Sequence, residues 1–445
     1  MSGWHVLCPP RQQQTIPTNT VGLPFSSSTG PPQNVALMVV VYHISFSATS
    51  GEPVSLAAQS PFIDAPMISP AAIQRGPSTW YRLAMLILPL SFFTATAHVS
   101  AQSSNAPSDT GIHWHGYASW GYGRTNGNSF DAGEHNGDYH NFNFAMAMST
   151  LLTERVRVSA QVAVTSEHDA NVFDVNYAQV EWRLRDALRL RLGRVRQPFG
   201  LYTEVFQVGT LRPFFSLPHS LYGPSGTVSQ FFTGASISGG RSLGNQWELE
   251  YDAYTGHIDL PTVHPLQEFA DSLLESFSSV VGARLNLRGP AGWLGGMSGY
   301  TGHSEGHSRD RDYILGAHLE YVDSPVLMRT EFAYHHAPDE RGTSGYLEAG
   351  YQLDDHWQLV ARLDAFQGTF ADPVIAAIPD GGKYREQAVG VNYWVAPTFV
   401  LKSSVHFTTG RRFALPHEDA SGTVPAGVLP KNRTLLGVIG AQVSF

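Results

Sequence analysis

Charge, lysine and cysteine are scarce in this 445-residue chain, and each scarcity removes a class of function. Cys8 is the only cysteine, which excludes disulfides, thiolate metal sites and cysteine nucleophiles. Lysine occurs only at Lys383, Lys402 and Lys431, charged residues make up 15% of the chain, and the formal net charge is −9. Such a chain has no basic field to collect phosphates, so no nucleic-acid partner is expected. Outside the N-terminal region there is no apolar run of about 18 residues, which excludes a helical membrane protein. Closed metal-ligand sets are also missing. His113 and His115 share a strand face, and Asp131, Glu134, His135, Asp138 and His140 cluster, as do His303, Glu305, His307 and Asp310. None has a familiar ligand spacing, so these read as solvated side chains, and neither metal nor cofactor is expected.

What the chain does have is glycine (43 residues), aromatics (11%) and a persistent period of two. Val156, Val158, Ala160, Val162 and Val164 face one way, and Arg157, Ser159, Gln161 and Thr165 the other. Ala178, Val180, Trp182 and Leu184 oppose Gln179, Glu181 and Arg183. Trp247, Leu249, Tyr251 and Ala253 oppose Glu248, Glu250 and Asp252. Trp357, Leu359, Ala361, Leu363 and Ala365 oppose Gln358, Arg362 and Asp364. Charges aligned along one face of an otherwise apolar strand place that face in water and the other in lipid. A soluble sandwich would carry far fewer aligned charges.

Short turns fall at Thr153-Glu154-Arg155, Asp186-Ala187, Ser242–Asn245, Gly289–Gly292, Asp323-Ser324-Pro325, Asp354-Asp355-His356 and Ala396-Pro397. Longer loops fall between them at about 123–140, 166–172, 197–228, 257–277, 302–311, 336–344, 367–384 and 408–432. Strict alternation of these turns and loops delimits about sixteen strands with both termini on the short-turn side. The expected fold is all-β, a transmembrane antiparallel barrel over 102–445. A barrel of that size encloses an aqueous channel. Trp182, Trp247, Trp293, Tyr321, Tyr351, Trp357, Tyr393 and Phe445 lie near the short turns, as an interfacial girdle requires.

The first hundred residues follow other rules. Segment 1–84 is rich in Pro, Ser, Gln and Ala without a sustained period, and reads as a gene-model extension or a disordered one. Arg82, the apolar run Leu83–Phe93 and Val99-Ser100-Ala101 before Gln102 have the layout of a secretory signal peptide, placed at 85–101. Ala95-Thr96-Ala97 is a second possible cleavage motif, and Met67 an alternative start.

The last eleven residues, Leu435 to Phe445, alternate and end on an aromatic, which resembles the C-terminal signal of bacterial outer-membrane barrels. That resemblance implies Phe445 is read by the barrel-assembly machinery. Gly193-Arg194-Val195-Arg196-Gln197-Pro198-Phe199-Gly200 resembles the strand end and Pro-Phe-Gly entry of Gram-negative porins of the phosphate-selective type. Gly209–Phe215 and Tyr222-Gly223-Pro224 fit that family's third loop, and Tyr351–Asp364 is also porin-like. The resemblance covers about 102–445 and implies an inward-folded third loop that narrows the channel. It also implies passive diffusion of small hydrophilic solutes, an outer-membrane location, lipid and lipopolysaccharide as surroundings, and a homotrimer. Three lysines depart from the lysine-lined lumen of phosphate-selective members. Enzymatic barrels of this kind need a Ser/His pair on the lipid-facing wall, and the histidines here fall on the other face or in loops, so no enzyme is expected. A receptor or adhesin barrel is the alternative, although about ten residues before the first strand leave no room for a plug.

Arg157, Arg183, Arg189 and Arg191 are expected on one lumenal wall, where guanidiniums would attract anions. Neighbouring Glu181, Glu248, Glu250 and Asp252 offer the opposite outcome, a balanced non-selective wall. Within the third loop, Arg212 and Glu204 are the expected charges at the narrowest point, or else Arg212 pins the loop to a lumenal acid. N-terminal sequencing of the exported protein should start at or near Gln102. Residues 1–84 on the exported chain would refute the signal assignment.

Overall fold

A strand with one apolar face and one polar face is stable only where the two faces meet different media, and sixteen such strands close here on themselves. The computed structural model describes residues 111–445 apart from 131, 168–169, 186, 207, 224–227, 245, 259–275, 305–310, 339, 372–375 and 415–428. Segments 1–84 and 85–101 therefore lie outside the described residues, as do Asp131, Glu305, His307 and Asp310.

The strands are β1 His113–Thr125, β2 Asp138–Thr153, β3 Val156–Glu167, β4 Ala170–Arg185, β5 Leu188–Arg196, β6 Phe231–Gly244, β7 Trp247–Ile258 and β8 Phe277–Arg288. They continue as β9 Trp293–Ser304, β10 Asp312–Asp323, β11 Val326–His336, β12 Glu340–Gln352, β13 Trp357–Phe370, β14 Lys383–Ala396, β15 Phe399–Gly410 and β16 Arg433–Ser444. Each pairs antiparallel with its sequence neighbours, and β1 closes the barrel against β16, with Tyr117 opposite Ser444 and Gly121 opposite Gly440. Closure leaves no sheet edge, so the ladder satisfies the strand backbones on both sides. Among the described residues no helix is long and apolar enough to cross a membrane.

All seven expected turns separate the strands that they should. Two expected loops are shorter than the sequence suggests. β3 runs through Glu167 and β4 starts at Ala170, while β11 ends at His336 and β12 starts at Glu340. Polar residues there hide strand ends that project past the apolar band, where both faces are wetted and alternation stops.

Burial is inverted relative to a soluble protein. Leu285, Met297, Leu315, Leu363, Val389 and Phe407 are exposed on the outside, each by more than half of its surface. The polar residues between them, such as Arg284, Glu348, Arg362, Asp364 and Glu386, are buried inside. An exposed apolar band of this extent is compatible only with a hydrocarbon surround. Trp182, Trp247, Trp293, Tyr351, Trp357 and Phe445 are exposed at the turn end, and Trp293–Tyr321 and Trp357–Tyr393 rings lie 4.7 and 4.8 Å apart. They form the girdle that the sequence implies.

The apolar packing inside the barrel gathers around the segment between β5 and β6. Phe199, Tyr202, Val205, Leu217, Leu221 and Tyr222 pack with Val195, Phe232, Tyr254, Phe277, Tyr300 and Tyr346. A second cluster joins Phe215 to Phe130, Phe366, Tyr384 and Phe413.

Candidate functional site

Segment 197–230 carries about thirty residues of backbone whose N–H and C=O groups are not paired in the barrel ladder. It contains a 3-10 turn at Gly209–Leu211 and one helical turn at His219–Tyr222. Buried backbone polar groups need partners; turns within the segment pair some of them, such as Val205 N with Tyr202 O and Tyr222 N with Pro218 O, and inward side chains of the wall supply others.

Carbonyls are met by cations and amides. Lys402 on β15 donates from Nζ to the carbonyls of Gly209 at 2.8 Å, Phe214 at 3.3 Å and Arg212. Arg362 on β13 donates to Ser216 O at 2.7 Å and lies over the Phe214 ring at 4.4 Å. Asn392 on β14 donates to Pro213 O at 2.8 Å, and Arg329 on β11 to Leu211 O at 2.9 Å. The N–H groups are met by carboxylates and a hydroxyl. Glu331 accepts from Leu201 N at 3.1 Å, Asp364 from Ser220 N at 3.1 Å, and Ser298 Oγ from Gly200 N at 3.1 Å. Ring order places β13 and β14 eight strands away from the β5–β6 pair that anchors the segment.

Hydroxyls add a second layer. Tyr202 donates to Glu348, and both Tyr222 (2.8 Å) and Tyr346 (2.5 Å) donate to Glu331. Glu348 also receives Arg362 Nε at 2.7 Å. Glu331 and Glu348 are thus each bonded by several donors, the arrangement that makes a buried charge tolerable. Gly200 of the Pro-Phe-Gly entry explains its own identity. It has φ +55°, and a Cβ there would stand 2.0 Å from Glu331 Oε2 and 2.3 Å from Tyr222 Oη. Only glycine lets the chain turn against that carboxylate.

The expected site residues separate into two groups. Glu204 pairs with Arg284 on β8, which also holds Asp252 at 2.9 Å, rather than with Arg212. Partial burial favours the neutral acid of Glu204, but the Arg284 guanidinium overrides it and holds the carboxyl below its ordinary range. Arg212 donates to Phe206 O at 3.2 Å within its own segment, and no ion pair to an acid is formed among the described residues. Residue spacing could not reveal either partner, because Arg284 is eighty positions from Glu204.

Arg157, Arg183, Arg189 and Arg191 occupy neighbouring register positions on β3–β5. Arg191 Nε bonds Glu181 Oε2 at 2.8 Å, and Arg157 stands opposite Glu181 in register. Arg183 and Arg189 face each other directly across β4 and β5, and Arg183 also donates to Glu154 O at 2.9 Å. Like charges in direct register are unfavourable for a sheet. Arg157, Arg183 and Arg189 have no carboxylate bonded to them among the described residues. The acids that would balance them are taken, Glu250 by Arg288 at 3.8 Å and Asp252 by Arg284. Further up, Arg196 lies over the Tyr177 ring at 5.2 Å and donates to Gln161 at 3.2 Å and Glu204 O at 2.9 Å.

Phe445 continues the β16 ladder. Its N–H donates to Gly116 O at 2.9 Å, its carbonyl accepts from Gly116 N at 2.8 Å, and its ring is exposed beside Phe144. His113 and His115 are the first and third residues of β1.

No family model matches the chain, and no curated protein matches it. Solved structures do. The outer membrane channel DcaP of Acinetobacter baumannii is 10% identical and aligns over 75% of this chain and 97% of its own with a TM-score of 0.50. The anion-selective porin of Comamonas acidovorans is 12% identical over 75% of this chain and 99% of its own, TM-score 0.46. OmpF of Salmonella typhi, in complex with daunomycin, is 11% identical over 75% and 97%, TM-score 0.49. At such identity the likeness to DcaP concerns architecture, and the fold is that of bacterial outer-membrane barrels.

The bonding pattern makes Lys402 the most heavily used anchor of the segment. Lys402→Met, of similar length, should leave buried carbonyls unsatisfied at roughly 1–3 kcal/mol each. The expected readout is chymotryptic cleavage after Leu211, Phe214 or Phe215 in a barrel that otherwise keeps its heat-modifiable migration. Full protection of the segment in that variant would show that Lys402 does not hold it.

Proposed function

We propose that this chain is a porin, a water-filled channel of the bacterial outer membrane for passive diffusion of small hydrophilic solutes, with a mild preference for anions. The carrying observation is the pairing of a closed barrel, apolar outside and charged inside, with a segment bonded to the wall eight strands from its anchor. In this reading 197–230 is the inward-folded third loop and sets the width of the channel. A non-enzymatic role fits, since the inward polar residues are spent on ion pairs and on the loop backbone. A receptor or adhesin barrel gives no reason for a loop secured by so many wall residues.

Anion preference is supported by the unequal fate of the charges. Arg284, Arg329, Arg362 and Lys402 are each bonded to carboxylates or to loop carbonyls, whereas Arg157, Arg183 and Arg189 are not balanced by an acid. Solutes would therefore pass a wall of fixed positive charge on β3–β5. Homotrimer formation, surrounding lipid and lipopolysaccharide, and recognition of Phe445 by the assembly machinery complete the proposal.

In planar bilayers, deleting 203–220 should raise single-channel conductance, and an unchanged value would mean that the segment does not limit the channel. Changing Arg157, Arg183 and Arg189 together to Gln should move the reversal potential under a salt gradient toward cations. If selectivity stays where it was, a non-selective porin remains. For the terminus, Phe445→Lys should leave export intact and abolish the heat-modifiable folded form. Normal amounts of folded barrel in that variant would remove Phe445 from the assembly step.

A further inference from the structure

The two signs of charge are sorted across the wall of β12–β16. All four acids of these strands, Glu340, Glu348, Asp364 and Glu386, lie inside: Glu348, Asp364 and Glu386 are buried, and Glu340 bonds the buried Arg412 at 3.2 Å. The cations Arg341, Arg385 and Arg433 occupy the alternate positions and are exposed. Each stands within the first three residues of its strand, at the long-loop end of β12, β14 and β16. Thr409 of β15 is in register with both Arg385 and Arg433, so the two guanidiniums flank one hydroxyl, roughly 10 Å apart across two strand spacings. Lys383 extends the row but is held by Asp380 at 3.0 Å, whereas the three arginines have no side-chain partner among the described residues. Directly below on the same outer face stand Leu363, Val389, Phe407 and Leu435, exposed and apolar.

We infer that this face is a binding site for a phosphorylated membrane lipid of the leaflet at the long-loop end. A row of unpaired guanidiniums along the upper edge of an apolar band matches an amphiphile in both halves. Arginine presents a planar fork to phosphate oxygens, and the outward strand faces receive the acyl chains. Two arginines about one strand pair apart suit a headgroup with more than one phosphate. Among the described residues no acid of β12–β16 faces outward to compete with the row. The site rests on the reading of the chain as an outer-membrane barrel and gives the surrounding lipid a place and a set of contacts. The outer face does not line the channel, so conductance and lipid binding are separable.

The test uses the full chain refolded in detergent, with diphosphoryl lipid A as probe and bound lipid counted by native mass spectrometry. Arg341→Gln/Arg385→Gln/Arg433→Gln should weaken binding by roughly tenfold or more, as loss of several charge-assisted contacts requires. The control Arg155→Gln/Arg241→Gln, which removes two exposed cations elsewhere, should bind like the unchanged protein. Monophosphoryl lipid A should bind less well than the diphosphoryl form, and added salt should weaken both. Equal binding by the triple variant and the unchanged protein would overturn the site. Displacement of the lipid by inorganic phosphate alone would overturn the lipid assignment and leave a free-anion site. Absence of conductance in the unchanged protein, with the lipid difference intact, would sink the channel reading and leave this one standing.

Discussion

Backbone N–H and C=O groups placed where no water reaches must find partners in the protein, and both the wall and the interior of this barrel obey that demand. In hydrocarbon the groups of a strand are satisfied only by neighbouring strands, and only a closed ring satisfies all of them. Closure of β1 on β16 follows from that requirement. Segment 197–230 meets the same demand without strands of its own to pair with. Some of its carbonyls and N–H groups pair in turns of the segment itself, and others are taken by side chains of β9, β11, β13, β14 and β15. Charged residues on the inner wall are therefore structural first. Arg362 is bonded at once to Glu348 and to Ser216 O, so it ties two wall strands and the segment into one network.

Network formation also explains how a fully buried guanidinium is tolerated. Breaking one partner of such a pair strands the other charge, whereas the intact set satisfies most of its lone pairs and protons. Glu331 illustrates the economy of the arrangement: two tyrosine hydroxyls and one backbone N–H converge on a single carboxylate, which fixes the entry of the segment at Gly200 and Leu201. The wall residues that bond the segment sit on strands and not on loops, so its backbone is fixed to the most regular part of the structure.

The period-two pattern made the barrel legible because it reports directly which face of a strand meets lipid. Trp357 to Ala365 and Val156 to Val164 needed no tertiary information to be placed, and the seven turns follow from glycine, proline and aspartate punctuation. Partners within the interior were not legible in the same way. Parity puts Arg362 on the inner face, and position in the third loop places Glu204. Neither signal says which residues meet, since partners lie 80 positions apart at Glu204–Arg284 and 193 at Gly209–Lys402, and no spacing rule links them. Arg212 reads from sequence as a charge at the narrowest point or as a pin to an acid, and it is bonded to Phe206 O. The rarity of lysine was the one signal that singled out Lys402, although it pointed to a missing phosphate site and not to an anchor. Strand ends were lost where alternation stops, at Glu167 and Glu340, because water on both faces imposes no pattern.

The negative formal charge of the chain does not decide the field inside the barrel. Fixed charges act over about 8–10 Å at ordinary salt, so a solute in the lumen responds to the wall beside it and not to the sum over the chain. Carboxylates such as Glu331, Glu348 and Asp364 are covered by the donors of the segment, and Glu204 and Asp252 share Arg284. What is left uncovered is the patch where four arginines, Arg157, Arg183, Arg189 and Arg191, stand around one acid, Glu181. The direct register of Arg183 against Arg189 costs the sheet rather than stabilising it. Arg183 also donates to Glu154 O, so the pair keeps one bond to the neighbouring turn while its like charges stay uncompensated.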